Sequence, residues 1–397
     1  MKTETNTKTK LIILLIAIIF TSSILRSTIV IVGPISDIII NDLNISATDF
    51  GLITTIPLIV FALSSAIIPF IAGKNGLINT LIGGLILVMI GSILRAVDNY
   101  YVLLFGTIFL GFGISISNVL LPAIIKEYGQ QRKAAYTSIY LCMQNIFASI
   151  ASGIAFTIAL AFSWNFLMLI WILPTVIALL LWFQYKKGHQ TAKTQINAFS
   201  IDIVKQMLKS PYAWMISLIM GSQSVIYYTN TTWLPTIATN LGLSQSFISF
   251  LMISFQLAAL PALFLIPLLL KKIKRNTDML ILSAAAIFSG IILILLANSA
   301  APFYIGTLLL SLGTGGCFAW VVAIITENTK SSQHASSLSA MSQTIGYTMA
   351  AIGPVIGGLL VDITNSPQTI IYFLLAIASL IVIVTINCHL KRDKLIF

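Results

Sequence analysis

The sequence predicts an all-α membrane protein in which twelve transmembrane helices form two pseudo-symmetric six-helix bundles. Of its 397 residues 58% are hydrophobic and 8% charged, against about a quarter charged in an ordinary soluble domain. Twelve apolar segments each approach the ~20 residues that a spanning helix needs. The third observation is internal: the chain repeats itself at a spacing of about two hundred residues, a period that implies duplicated halves rather than a small-repeat solenoid.

In order, the expected spans are 11–41, 46–72, 77–97, 100–125, 134–160, 163–185, 212–239, 244–270, 278–297, 301–326, 335–361 and 367–390. The run from Leu11 to Phe20 follows three lysines, as a signal peptide would, but the apolar character continues to Ile40 without a small-residue cleavage site, so it reads as a retained first span. With the N-terminus inside, Lys74, then Lys126, Arg132 and Lys133, then Lys186 to Lys209, Lys271 to Arg275, Lys330 and the tail Lys391 to Lys394 all fall on the cytoplasmic side. Only Arg26 and Arg95 lie outside that set, which places both termini in the cytoplasm of a cell with this multi-pass protein in its cytoplasmic membrane.

The halves are expected at 1–185 and 212–397, joined by a cytoplasmic linker over 186–211. Residues 105–128 align without gaps on 305–328, with Gly106, Thr107, Leu110, Gly113, Ala123, Ile124, Ile125 and Glu127 each recurring. Leu43, Ser46, Ile68, Pro69 and Lys74 recur as Leu241, Ser244, Ile266, Pro267 and Lys272, and Ala135, Ala151 and Gly153 as Ala335, Ala351 and Gly353. In the linker Phe199, Ile203, Val204, Met207 and Leu208 share one helical face, the pattern of a short helix lying on the membrane surface. Prolines and glycines within the spans, such as Gly33-Pro34, Pro122, Pro235 and Gly353-Pro354, suit kinks and close helix contacts.

Several classes are excluded. The formal net charge of +11 might suggest nucleic acid, but its basic residues follow the positive-inside pattern instead, and no nucleic-acid partner is expected. Cys142, Cys317 and Cys388 are scattered in apolar surroundings and read as packing residues; His189, His334 and His389 are too far apart to suggest a shared site, so neither a metal nor a disulfide frame is indicated. Phosphate-loop, HExxH and GxSxG patterns are absent, so an enzyme is not expected, nor a cofactor.

Arg26 is the residue around which a site can be built. It lies about 22 Å along the helix from Leu11 at 1.5 Å per residue, near mid-depth of the bilayer. A guanidinium there costs between ~3 and ~15 kcal/mol, and arginines so placed face a cavity, a partner or a substrate. The nearest carboxylate in sequence, Asp37, is about 16 Å away along the helix. Aligning Pro34 with Pro235 puts Tyr227 at the position of Arg26 and Gln223 at that of Ser22; Gln223, Tyr227 and Asn230 share a face of the seventh helix. Tyr140 with Gln144 in the fifth helix, Gln343 with Tyr347 in the eleventh, and Gln256 in the eighth also approach mid-depth, while Asn118 and Trp320 lie toward the cytoplasm. Polar groups in spans equally serve as interhelical glue, worth ~0.6 to ~2 kcal/mol each.

Carboxylates avoid the centre: Asp37, Asp42, Asp49, Asp98 and Asp362 cluster toward the outside, and Glu127, Asp278 and Glu327 at cytoplasmic helix ends. A proton-driven exporter of cationic drugs is expected to keep an embedded carboxylate, so that class is disfavoured. A proton is the candidate coupling ion, with no single residue standing out as its relay.

The sequence resembles the cyanate and 2-nitroimidazole transporter family of the major facilitator superfamily across nearly its whole length. The likeness rests on LRSTIVIVGP at 25–34, SNVLLP at 117–122, WLPTI at 233–237, FQLAALP at 255–261 and ASSLSAMSQTIGY at 335–347. It implies a two-bundle fold with a central cavity lined by helices one, four, seven and ten, transport of small anionic or polar solutes, and polar residues at Arg26, Asn118 and Gln256. The family commonly has Asn-Leu-Arg-Pro where this chain has Ile24 to Ser27.

The expectation is therefore a secondary transporter, working as a monomer in the lipid bilayer by alternating access, that moves a small anion held by Arg26. Candidate solute contacts are Arg26, Asn118, Tyr140, Gln144, Gln223, Tyr227, Asn230, Gln256, Trp320, Gln343 and Tyr347. The alternatives are a multidrug or nitroheterocycle exporter using Tyr227, Tyr228, Trp233 and Trp320, and a membrane sensor without transport.

Overall fold

The computed structural model describes residues 2–65, 67–129, 132–187, 206–262, 276–327 and 332–390, which form helices and short connections with no strand among them. Eleven of the described helices are long and apolar enough to cross a membrane. The remaining span, seventh in chain order, is Pro211–Asn240, a helix of 30 residues. Its polarity keeps it out of the apolar set: Ser217, Ser222, Gln223, Ser224, Thr229, Asn230, Thr231 and Thr232 lie along it, and all are buried. It is the helix expected as an apolar segment over 212–239.

The protein is an all-α membrane protein with two six-helix halves. Helix starts follow capping chemistry in which a side-chain oxygen accepts from an otherwise orphaned backbone N–H. Asn99 accepts from Val102 N, Ser163 from Phe166 N, Ser210 from Ala213 N and Ser244 from Phe247 N, at 3.1–3.3 Å. The second span is divided into Ala47–Ser64 and Ile68–Asn75, and the sixth into Trp164–Leu169 and Ile172–Lys187. Residues 188–205, most of the expected linker and its surface helix, lie outside the described residues.

The chain groups into two compact units, Met1–Ile45 with Ile59–Asn197, and Ser46–Leu58 with Ala198–Phe397. In the first unit, the third span (Leu77–Arg95) and the fourth (Tyr100–Tyr128) approach so closely that only glycine fits: a Cβ on Gly91 would lie 2.6 Å from the Gly106 carbonyl oxygen. Trp182 Nε1 donates to Thr21 Oγ1 at 2.8 Å, pinning the sixth span to the first in the dry interior.

The second unit repeats the glycine contact. A Cβ on Gly290 in the ninth span (Asn276–Leu295) would lie 2.7 Å from the carbonyl oxygen of Gly306 in the tenth (Ala300–Glu327). The two contacts are offset by the repeat spacing, so duplication seen in sequence is duplication of packing. The seventh span is fixed to the eleventh (Ser332–Thr364) by Trp233 Nε1 donating to the Pro354 carbonyl at 2.9 Å and by a Ser217–Ser342 hydroxyl pair at 3.1 Å. Residues Ser46–Leu58 belong here because Asp362 accepts from the backbone N–H of Ala47 at 3.0 Å and of Thr48 at 2.8 Å. A carboxylate at a helix N-terminus satisfies two orphaned donors and the positive end of the dipole together.

Candidate functional site

The first span does not run through the membrane as one α-helix. Lys2–Leu25 ends at Arg26, a short helix Ser27–Val30 follows, then a 3₁₀ turn Gly33–Ile35 and a last helix Ser36–Leu43. Pro34 stands at the second break, in the first turn of the 3₁₀ segment, where its missing N–H is not needed. Backbone bonds run from Val30 N to Arg26 O at 3.0 Å and from Ile31 N to Ser27 O at 3.1 Å, then resume as Ile35 N to Val32 O at 3.1 Å. Interrupted backbone at membrane depth is tolerated where protein or a cavity supplies the missing partners.

Arg26 sits at the first break, half-buried. One terminal nitrogen of its guanidinium donates to Asn145 Oδ1 in the fifth span at 2.7 Å, and Asn145 is itself held by donating Nδ2 to the Leu141 carbonyl at 2.9 Å. A hydrogen bond from a cation to an amide contributes about 1.5–3 kcal/mol. The amide oxygen orients the guanidinium and, being neutral, does not cancel its charge.

A second constellation joins the fourth and fifth spans of the same unit. Asn118 Oδ1 accepts from Tyr140 OH at 3.1 Å and from Gln144 Nε2 at 3.3 Å. Both donors come from one face of the fifth span (Lys133–Ala161), as their spacing of four predicts. With its oxygen doubly engaged, Asn118 is held in one orientation. Tyr140 is buried, and Asn118 and Gln144 are partly exposed.

In the second unit Tyr227 OH donates to Gln256 Oε1 at 2.8 Å, while the ring of Tyr227 stacks on Phe255 with centroids 5.7 Å apart. Gln256 Nε2 is buried and has no hydrogen-bond partner among the described residues. Gln223 donates to Ser224 Oγ at 2.8 Å and Asn230 to the Ile226 carbonyl at 2.8 Å. These two share the predicted face with Tyr227, yet each is bonded within its own helix. Trp320 is buried, Gln343 is exposed and donates to Ser339 Oγ at 3.0 Å, and Tyr347 packs against a small cluster of Leu58, Ala350 and Ala351.

Two residues carry roles that sequence reading does not assign. Asn145, the partner of Arg26, lies 119 positions away, and no local periodicity connects them. Arg95, noted in the sequence only as a charge outside the cytoplasmic set, is 3% exposed and donates to the Thr28 carbonyl at 2.8 Å. A cavity of about 530 Å³ is lined by Asp42, Leu43 and residues 98–101. None of the candidate residues lines it, and its carboxylates are already engaged, Asp42 by Trp164 and Asp98 by Asn165.

Twelve spans in two repeated halves, with polar constellations held inside apolar helices, define a polytopic membrane transporter. The sequence model described as Major Facilitator Superfamily matches residues 14–351 and 227–394, and the chain belongs to that superfamily of secondary transporters. It is 32% identical over 386 residues to the uncharacterized transporter YycB of Bacillus subtilis (strain 168), covering 97% of this chain and 94% of the relative. Similarity to the 2-nitroimidazole transporter of Escherichia coli (strain K12) is 30% over 384 residues, 96% of each chain. The cyanate transport protein CynX of the same organism is 22% identical over 289 residues, covering 71% of this chain and 72% of the relative. Among solved structures, a D-xylose-proton symporter superposes with a TM-score of 0.78 at 13% identity, covering 97% of both chains.

Proposed function

We propose that this transporter moves a small anionic or polar solute, cyanate-like or a small organic anion, across the cytoplasmic membrane by alternating access, with Arg26 as its anion-binding residue. The observation that carries the reading is the Arg26–Asn145 bond of 2.7 Å: a charge at a helix break in an apolar span, oriented by a neutral amide. A guanidinium presents a planar fork of donors suited to a charge-assisted bond with an anion, and the bond to Asn145 sets its orientation. Asn118, Tyr140 and Gln144 are the further solute contacts proposed in the same unit. Gln223, Tyr227, Asn230, Gln256, Trp320, Gln343 and Tyr347 are those proposed in the other, with Tyr227 and Gln256 foremost because the buried Gln256 Nε2 has no hydrogen-bond partner among the described residues. The protein acts as a monomer with both termini cytoplasmic, and a proton is the proposed coupling ion.

The test is uptake of labelled cyanate into proteoliposomes. Wild-type protein takes up the anion and Arg26→Ala does not; equal uptake by both removes the anion claim. A second reading, export of nitroheterocycles, is favoured by the 30% identity to the 2-nitroimidazole transporter along 96% of both chains. On that reading Tyr227 and Tyr228, whose rings meet edge to face at 5.1 Å, form the aromatic contact surface. Flux of 2-nitroimidazole that survives Arg26→Ala selects it.

A further inference from the structure

We infer that Arg95 is a positioning residue for Arg26: it holds the interrupted first span through the Thr28 carbonyl and so fixes where the Arg26 guanidinium points. The inference rests on the reading that Arg26 binds the solute.

Arg95 ends the third span, and its backbone is locked in place. A Cβ on Gly106 would lie 2.7 Å from Leu94 Cβ and 2.8 Å from Arg95 N, so the third and fourth spans are in close contact at this level. From that fixed base a terminal nitrogen of Arg95 reaches Thr28 O at 2.8 Å. Thr28 lies two residues beyond Arg26, in the piece between the two breaks, where the α ladder lapses before the 3₁₀ turn. Its carbonyl therefore receives a donor from another span where a regular helix would supply one of its own.

Stability does not account for an arginine here. The side chain is 3% exposed, its recorded partner is a neutral carbonyl, and its Nε has no hydrogen-bond partner among the described residues. Burying a cation without full compensation costs more than burying an apolar side chain of similar size. The second half of the molecule makes the apolar choice at the equivalent point. A Cβ on Gly306 would lie 3.0 Å from the backbone nitrogen of Ile294, just as Gly106 meets that of Arg95, and Ile294 is buried. The seventh span, equivalent to the first, is one continuous helix over Pro211–Asn240. An arginine stands where the neighbouring span is broken beside a binding residue, and an isoleucine where the corresponding span is whole.

The experiment compares Arg95→Met and Arg95→Lys with wild type in two measurements. In ligand-free protein, hydrogen exchange of the amides over residues 24–33 rises at least tenfold in Arg95→Met and stays near wild type in Arg95→Lys. In a melting-temperature titration with sodium cyanate, half-saturation rises at least tenfold in Arg95→Met and stays within threefold of wild type in Arg95→Lys. If Arg95→Met does not yield folded protein, Arg95→Gln takes its place, with at least a threefold rise in both measurements expected. Unchanged exchange, or unchanged half-saturation while Arg26→Ala loses its response, overturns the positioning role alone. Cyanate stabilisation that persists in Arg26→Ala instead overturns the anion reading, and the exchange result still decides whether Arg95 holds the segment.

Discussion

The first and seventh spans are counterparts in the two halves, and they solve the same placement in different ways. The first is broken at Arg26 and again before Pro34, and carries a charge at its first break. The seventh runs unbroken for 30 residues through Pro235 and carries Tyr227 where the first has Arg26. Around them the helix pairs are alike, with glycines at 91 and 106 in one half matched by glycines at 290 and 306 in the other. Duplication has thus preserved the packing and let the polar chemistry diverge. One half holds a cation that needs partners from other spans, Asn145 for its side chain and Arg95 for the backbone beyond it. The other holds neutral groups, most of them satisfied within their own helix.

That contrast can be broken experimentally, beginning with the largest expected effect. Ile294→Arg would bury a cation in the half whose seventh span, the counterpart of the broken first, is one continuous helix. Leaving a buried charge uncompensated costs about 3–5 kcal/mol, so the variant is expected to lose most of its folded yield in detergent, as size-exclusion chromatography reads directly. A variant as stable as wild type would show that the two halves tolerate charge equally.

Asn145→Asp sharpens the contrast from the other side. It substitutes a carboxylate for the amide oxygen now 2.7 Å from the Arg26 guanidinium, and an opposite charge that close neutralises the site. Cyanate affinity is expected to fall by about a hundredfold, equivalent to ~2.7 kcal/mol, while the ligand-free melting temperature holds or rises. Retained affinity would mean that the charge of Arg26 is not what the solute meets.

Gly91→Val and Gly290→Val test the shared packing. Each adds side-chain carbons where backbone already stands within 2.6 or 2.7 Å of a Cβ, and overpacking costs about 1–3 kcal/mol. Similar drops in thermal stability are expected in the two variants, and a large inequality would show that the helix pairs are not true equivalents. The smallest effect belongs to Tyr227→Phe, which removes the hydroxyl that donates to Gln256 at 2.8 Å. One neutral hydrogen bond is worth about 0.5–1.5 kcal/mol, a modest shift in melting temperature.

Much of the fold is legible in the sequence because the bilayer imposes a length and a polarity on every span, and because the second half repeats the first. Even the polar seventh span is close enough to that pattern to stand among the twelve segments, at 212–239. The site is less legible. Tyr140 and Gln144 announce a shared face by their spacing, and the structure brings both onto Asn118. Arg26 announces itself by its cost. Its anchor Asn145, the reach of Arg95 to Thr28, and the cap that Asp362 places on Ala47 and Thr48 join residues 67 to 315 positions apart. Such pairs depend on which helix faces which, and a single sequence records periodicity along a helix but not the identity of its neighbour.

The most direct measurement is the melting temperature of the purified transporter with and without sodium cyanate, in wild type and in Arg26→Ala. The account predicts a dose-dependent rise for wild type and none for Arg26→Ala, with both folding to the same monodisperse species. An equal rise in the two proteins would contradict it.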